Sequence, residues 1–357
     1  MNSQHIAHLR LGSQRVAGQL FSRPEEVVHH LGALQAQDYQ QALWAIGQRT
    51  RAATRAEVEQ AITDGKIVRT WPMRGTLHFV AVENAKWMLQ HLAARPLAAS
   101  QLRRQQLELD TAILDKCRDL FQTALAGGKQ LVRAQMMQLL TDAGINPKGQ
   151  RGYHILWHLA QQGVLCLGPV RDKEQAFVLL DEWVPTSREL AREEALTELA
   201  GTYFTSRGPA TVPDFAGWAG ITLADARAGL EGAKAGLVAE KQGNKDYWLA
   251  QSTPALPPTE TAATYLLPGF DEYLLGYKDR SDVLPAEHAQ KIVPGNNGVF
   301  LPVIVRGGQV VGTWKRTFGK KAVGVSLSPF APLAASPAEL AAAVKRFTGF
   351  VELPLAS

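Results

Sequence analysis

Three times along this chain an apolar pattern of helical period gives way to two short runs of strand period around a turn, and that succession admits few folds. In the first copy Ile6, Leu9, Val16 and Leu20 favour one helical face. Pro24 with Glu25 and Glu26 opens a second helix carrying Val27, Val28, Leu31 and Leu34, and Thr54 with Glu57 makes a capping box for a third. Ile67-Val68-Arg69-Thr70-Trp71 and Thr76-Leu77-His78-Phe79-Val80 then read as strands around the turn Pro72-Met73-Arg74-Gly75. Helices followed by a terminal hairpin spell a winged helix.

The same order returns in residues 112–126, 132–140 and 153–162, with a hairpin from 164–167 and 176–179 whose tip is 168–175. It returns again in 188–204, 212–218 and 222–234, with strands 237–241 and 247–250 around Gln242-Gly243-Asn244-Lys245. Pro254, Pro257 and Pro258 mark a linker. Beyond it come strands at 264–267, 299–306, 309–315 and 322–327, with Gly307-Gly308 as a two-residue turn, and a terminal helix at 337–350. The expected fold class is therefore α+β: winged helix 1 over 1–82, winged helix 2 with connecting helices over 83–185, winged helix 3 over 186–251, and a small β-barrel with a terminal helix over 259–357.

At 357 residues the chain is long enough for several cores. Cys117 and Cys166 lie far apart in apolar patterns, which excludes a disulfide framework and a cysteine-rich zinc site. The nine His and the carboxylates never fall into metal-ligand spacing, and no phosphate loop or dinucleotide fingerprint appears, so neither metal nor cofactor is expected. No apolar run approaches the length of a membrane span, and residues 1–5 lack the features of a signal peptide, so a cytoplasmic home is expected.

Net charge is only +5, so the placement of the basic residues matters more than their sum. Segment 65–82 holds Lys66, Arg69, Arg74 and His78; segment 143–171 holds Lys148, Arg151, His154, His158 and Arg171; segment 306–321 holds Arg306, Lys315, Arg316, Lys320 and Lys321. None of the three contains an acid, a pattern that suits a phosphate backbone. Charge runs are also what ordinary solvated faces look like. Two of these, however, fall on a wing or recognition helix, so double-stranded DNA is the expected partner, contacted by Arg69, Arg74, Lys148, Arg151, His154, Arg306, Lys315 and Arg316. The tip Arg306-Gly307-Gly308 is a candidate for insertion into a groove. His78 between Leu77 and Phe79 reads as a core histidine, Trp44 as core, and Asp271 with Arg280 as a structural pair.

Leu34-Gln35-Ala36-Gln37-Asp38, Leu43-Trp44, the run Ile67-Val68-Arg69-Thr70-Trp71-Pro72-Met73-Arg74-Gly75-Thr76-Leu77-His78-Phe79-Val80, Asp271-Glu272-Tyr273, Gly276-Tyr277-Lys278-Asp279-Arg280 and Val311-Gly312-Thr313-Trp314 together resemble the AlkZ/YcaQ-like winged-helix DNA-binding family. The resemblance spans about residues 6–350. It implies tandem winged helices and a C-terminal β-barrel in a C-shaped clamp. It also implies a monofunctional glycosylase that removes alkylated bases, cationic N7- or N3-substituted purines, with a range that extends to bulky adducts and interstrand crosslinks. Gln35-Ala36-Gln37 matches the branch with glutamines at both catalytic positions, although Ala36 is smaller than the aliphatic residue often found between them. Gln35 and Gln37 are then the catalytic candidates, Asp38 a second-rank one. The alternative is a non-catalytic winged-helix regulator. Regulators usually dimerise on palindromes, whereas repeats in tandem without a coiled-coil heptad favour a monomer on one site.

Overall fold

The computed structural model describes residues 1–171 and 173–356. Asp172, within the expected tip of the second hairpin, lies outside them. In chain order the strands are β1 (Ala33–Gln35), β2 (Ile67–Met73), β3 (Thr76–Ala81), β4 (Leu165–Arg171), β5 (Glu174–Leu179), β6 (Leu237–Gln242), β7 (Lys245–Ala250), β8 (Thr264–Leu267), β9 (Val303–Arg306), β10 (Gln309–Phe318) and β11 (Val323–Pro329). The chain divides into two compact units, one of Met1–Val58, Leu196–Trp218 and Thr222–Ser357, the other of Glu59–Ala195 and Ala219–Ile221.

In the first unit the N-terminal helix α1 (Ser3–Ser13) starts at Asn2, whose side chain accepts from the His5 N–H. Arg15 at φ 54° and Gly18 at φ 83° stop it well before the expected Leu20. Its Ala7 and Leu11, with Val16 and Ala17 beyond it, share a core with Leu267, Val303, Val305 and Val310 of the C-terminal sheet. The two ends of the chain thus fold as one body.

That sheet is four antiparallel strands in the order β11-β10-β9-β8. The expected barrel is corrected here: β11 and β8 do not pair, and both edges are covered instead of closed. The tail bridges onto β11, with the Val323 N–H donating to the Pro354 carbonyl at 2.9 Å and the Ala356 N–H to the Val323 carbonyl at 2.9 Å. The terminal helix Pro337–Val351 flanks β8, where Thr264 Oγ1 donates to Glu339 Oε1 at 2.8 Å. The Gly307-Gly308 turn is also not a free tip. A Cβ on Gly308 would stand 2.7 Å from that of Ala7, and the Tyr273 hydroxyl donates to the Gly308 carbonyl at 2.7 Å, so this turn is packed against α1. The projecting hairpin is β10–β11, paired from Gly312↔Pro329 to Phe318↔Val323 with residues 319–322 at its end. A third hairpin, β6–β7, closes on Gly243-Asn244 after helices Arg192–Arg207, Val212–Ala219 and Leu223–Ala233.

In the second unit helices Thr111–Leu125, Arg133–Asp142 and Arg151–Gln161 stand within two residues of their expected limits. Their apolar faces meet over Leu114, Phe121, Met136, Leu140, Ile155 and Leu159, closed by Leu165 and Phe177 from the strands. Hairpins β2–β3 and β4–β5 are not independent wings: Arg69 of β2 pairs with Leu167 of β4, joining them edge to edge. Cys117 and Cys166 are buried free thiols. Among the described residues no helix is long and apolar enough to cross a membrane.

Two histidines, His158 buried and His30 half-buried, couple this fold to pH. His158 Nδ1 accepts from Arg104 Nη1 at 3.3 Å, and burial, reinforced by Arg104 and Arg118, lowers its pKa to about 4. His30 Nε2 donates to the Ser13 carbonyl at 2.7 Å, and burial lowers it likewise to about 4, the Ser13 bond acting against that shift. Both are neutral when folded, while the unfolded chain binds their protons near pH 6.5. Their contribution is complete above that pH and is lost on acidification toward 4. Melting temperature should therefore fall between pH 6.5 and 4, and His158→Gln, which keeps an acceptor for Arg104, should flatten part of that fall. An unchanged slope in differential scanning calorimetry would remove His158 from the account.

Candidate active site

Burial along the stretch around the two glutamines alternates with the period of a strand. Leu34 and Ala36 are fully buried, Gln35 is half-buried and Gln37 exposed, which places the two amides on the side away from the core. Gly32, in the left-handed region at φ 71°, turns the chain out of the helix Pro24–Leu31 into β1. Three residues after the end of β1, Asp38 starts helix Tyr39–Gly47 as its N-cap, its carboxylate accepting from the Gln41 N–H at 3.2 Å. Gln41 in turn accepts from the Gly269 N–H, a close approach that leaves no room for a Cβ at Gly269.

Behind the strand stands a group of buried charges. Glu272 and Arg207 are both fully buried, with Arg207 Nη2 and Nε donating to Glu272 Oε2 at 2.7 and 3.1 Å. Trp218 Nε1 donates to the same oxygen at 2.9 Å, and the other, Oε1, accepts from the Gln35 N–H at 3.1 Å. Arg207 also donates to the carbonyls of Leu31 and Ala33, at 2.7 and 2.8 Å. Arg49 forms a second buried pair, bidentate with Asp271 at 2.9 and 2.8 Å. The expected pairing of Asp271 with Arg280 is corrected: Arg280 donates to the Leu274 carbonyl and lies over the Phe300 ring.

Sequence reasoning missed Arg207 and Arg49 and gave Glu272 no role. One signal was there, two adjacent acids inside the apolar run Tyr265-Leu266-Leu267-Pro268-Gly269-Phe270-Asp271-Glu272-Tyr273-Leu274-Leu275, where charge must be paired to be tolerated. Trp44 is core as expected, its indole donating to the Leu266 carbonyl.

The basic residues divide into two sets. Arg69 is buried in β2 and donates to Gln175, Arg151 donates to the Asn146, Leu107 and Glu108 carbonyls, and Arg306 pairs with Glu339 at 3.3 Å. Arg74 sits in a left-handed turn conformation at φ 55° and donates to His78 Nε2 at 2.9 Å, while His78 Nδ1 donates to the Thr76 carbonyl, which fixes a neutral, buried His78 as expected. His154 is half-buried against Trp157, and burial together with Arg103 holds its pKa below the usual value. The other set faces water: Lys148 in one unit, and Lys315, Lys320 and Lys321 along β10–β11 in the other. Arg316 is half-buried beside Asp38, burial lowering its pKa and the Asp38 carboxylate acting in the opposite direction. Arg316, one of the expected DNA contacts, is thus electrostatically coupled to Asp38 beside the two glutamines. Among the described residues no three His, Cys, Asp or Glu side chains cluster to hold a metal.

Residues 28–350 match the family model described as "DNA glycosylase AlkZ-like". A relative from Streptomyces sahachiroi, named as an interstrand DNA cross-link repair glycosylase, is 28% identical over 319 residues, 81% of each chain. The solved structure of Streptomyces sahachiroi DNA glycosylase AlkZ superposes with a TM-score of 0.81, covering 100% of this chain and 99% of that one at 23% identity, a likeness of fold.

Proposed function

Because this chain belongs to the AlkZ-like DNA glycosylase family, and is by that membership an enzyme hydrolysing N-glycosidic bonds in DNA, we propose that its substrates are duplexes carrying cationic N7- or N3-alkylated purines, bulky adducts and interstrand crosslinks included. The observation that carries this reading is the pair of amides at Gln35 and Gln37, directed outward from a strand whose other side is locked to the core. A purine alkylated at N7 or N3 already bears positive charge and leaves readily, so no strong acid is needed to expel it. What the site must supply is a water aimed at the anomeric carbon and a negative potential for the oxocarbenium that develops there.

An amide does both without changing protonation. Each glutamine carbonyl accepts from the water, each NH₂ donates to a neighbour, and the carbonyl dipoles point at the growing cation. Rate then comes from position, the term worth most when reactants are held near 3 Å. Asp38, occupied as a cap beside Arg316, is left to structure. We read the three helix-and-hairpin segments as winged-helix modules and the enzyme as a monomer acting on one lesion at a time.

The test uses duplexes containing a single N7-methylguanine or a nitrogen-mustard crosslink, scored for abasic sites by alkaline cleavage and for strand separation on denaturing gels. Base release from either supports the reading. Binding with no release from both would overturn it.

For duplex affinity, we assign the phosphate contacts to the exposed Lys315, Lys320 and Lys321 with Arg316 and Lys148, and leave Arg69, Arg151 and Arg306 to hold the fold. Replacing the three β10–β11 lysines with alanine should weaken binding to any duplex sequence and reduce the slope of log K against log salt by about 2 to 3. An unchanged salt slope would remove this hairpin from the interface.

A further inference from the structure

We propose that Glu272 and Arg207 are positioning residues of the glycosylase: their buried ion pair fixes the backbone that carries Gln35 and Gln37, and through it the place of the attacking water. This rests on the reading of the two glutamines given above. Gly32 takes a left-handed conformation that interrupts helical bonding, and β1 is only three residues long. Three backbone groups of segment 31–35 are bonded to this one pair: the Leu31 and Ala33 carbonyls to Arg207 at 2.7 and 2.8 Å, and the Gln35 N–H to Glu272 at 3.1 Å.

The pair is itself over-determined. All five N–H groups of a guanidinium find acceptors here, in Glu272 Oε2 twice, the Leu31 and Ala33 carbonyls and Ser206 Oγ. The guanidinium lies 4.3 Å from the Trp218 ring centroid, and the Trp218 indole N–H holds the same carboxylate oxygen from another direction. A buried ion pair is a poor way to gain stability, because well-packed apolar residues of equal volume do as well or better. What apolar residues cannot do is direct three bonds onto the turn and strand that precede Gln37. In a mechanism that depends on placing one water, a displacement of about 1 Å costs about a hundredfold in rate.

The experiment measures single-turnover base release from an N7-methylguanine duplex under saturating enzyme, well below the melting temperature and corrected for the DNA-binding fraction. Glu272→Gln retains an acceptor but cannot serve Gln35, Arg207 and Trp218 together; its rate should fall about 10- to 100-fold with duplex Kd within about twofold. Should Glu272→Gln not fold, Trp218→Phe, which removes one bond to the carboxylate and keeps a ring, is read the same way with a smaller loss. Hydrogen exchange at the Gln35 amide should quicken in either variant. A merely structural pair would lower the melting temperature and leave the corrected rate alone, and that result overturns the proposal.

Combination separates this proposal from the reading beneath it. If the pair acts through the glutamines, Glu272→Gln added to Gln35→Ala/Gln37→Ala should cost nothing further. Additive losses overturn the positioning role while leaving the glutamines in place. Native rates in Gln35→Ala and Gln37→Ala overturn the glutamine reading, and with it this one.

Discussion

Gln37→Ala should lower single-turnover release of an alkylated purine by about 100-fold or more while duplex affinity stays within about twofold. The amide is exposed where Ala36 beside it is buried, so truncation should leave the core packing intact. Gln35→Ala should act in the same direction, because the bond from its backbone N–H to Glu272 survives the change and only the side chain is lost. Neither amide titrates, so the native rate should be level through the neutral pH range. Asp38→Asn separates the remaining possibility: asparagine caps a helix as well as aspartate does, so a substitution that removes only the charge should keep the fold and most of the rate. Full activity in both glutamine variants, or a collapse in Asp38→Asn with the helix intact, would transfer the chemistry away from the amides.

Much of the local structure was legible because local patterns determine it. The switch from period 3.6 to period 2 located the hairpins, Gly307-Gly308 marked a turn, and residues 264–267 proved to be strand β8 to the residue. What the sequence withheld was partnership at long range. Arg69, Arg151 and Arg306 were visible as charge, but their partners Gln175, Leu107 and Glu339 are 106, 44 and 33 residues away, and nothing local distinguishes an arginine facing phosphate from one facing a carbonyl. The barrel was misjudged for a related reason. Strands declare themselves by alternation, whereas closure is decided at the sheet edges, and here the tail at 354–356 covers one edge in its place. The glutamines were located by resemblance to a family; of the charges that hold their strand only Glu272, beside Asp271 in an apolar run, left a trace, because a fully buried arginine or glutamate otherwise reads in sequence as a solvated one.

The same blindness hid Arg49 and gave Asp271 the wrong partner, and separating these two should produce the largest loss of stability. Arg49 donates to Asp271 through both terminal nitrogens, to the Gln14 carbonyl and side chain, and to the Ala45 carbonyl, so no N–H of the guanidinium is left over. Asp271 also accepts from the Tyr273 N–H. Both side chains are essentially inaccessible to water. Asp271→Leu leaves a buried cation without its counterion and should cost about 3 to 5 kcal/mol, seen as a lower urea midpoint at constant slope. Since the pair lies wholly within the unit that contains α1 and the C-terminal sheet, an unfolding curve that resolves into two transitions should show only that unit's transition displaced. Adding Arg49→Met removes the orphaned charge and should restore more than half of the loss. The asymmetry is the point of the measurement: a single substitution costing less than about 1 kcal/mol, or a double variant no better than the single, would mean that water reaches this pair and that its bonds are not what joins the N-terminal helices to the sheet.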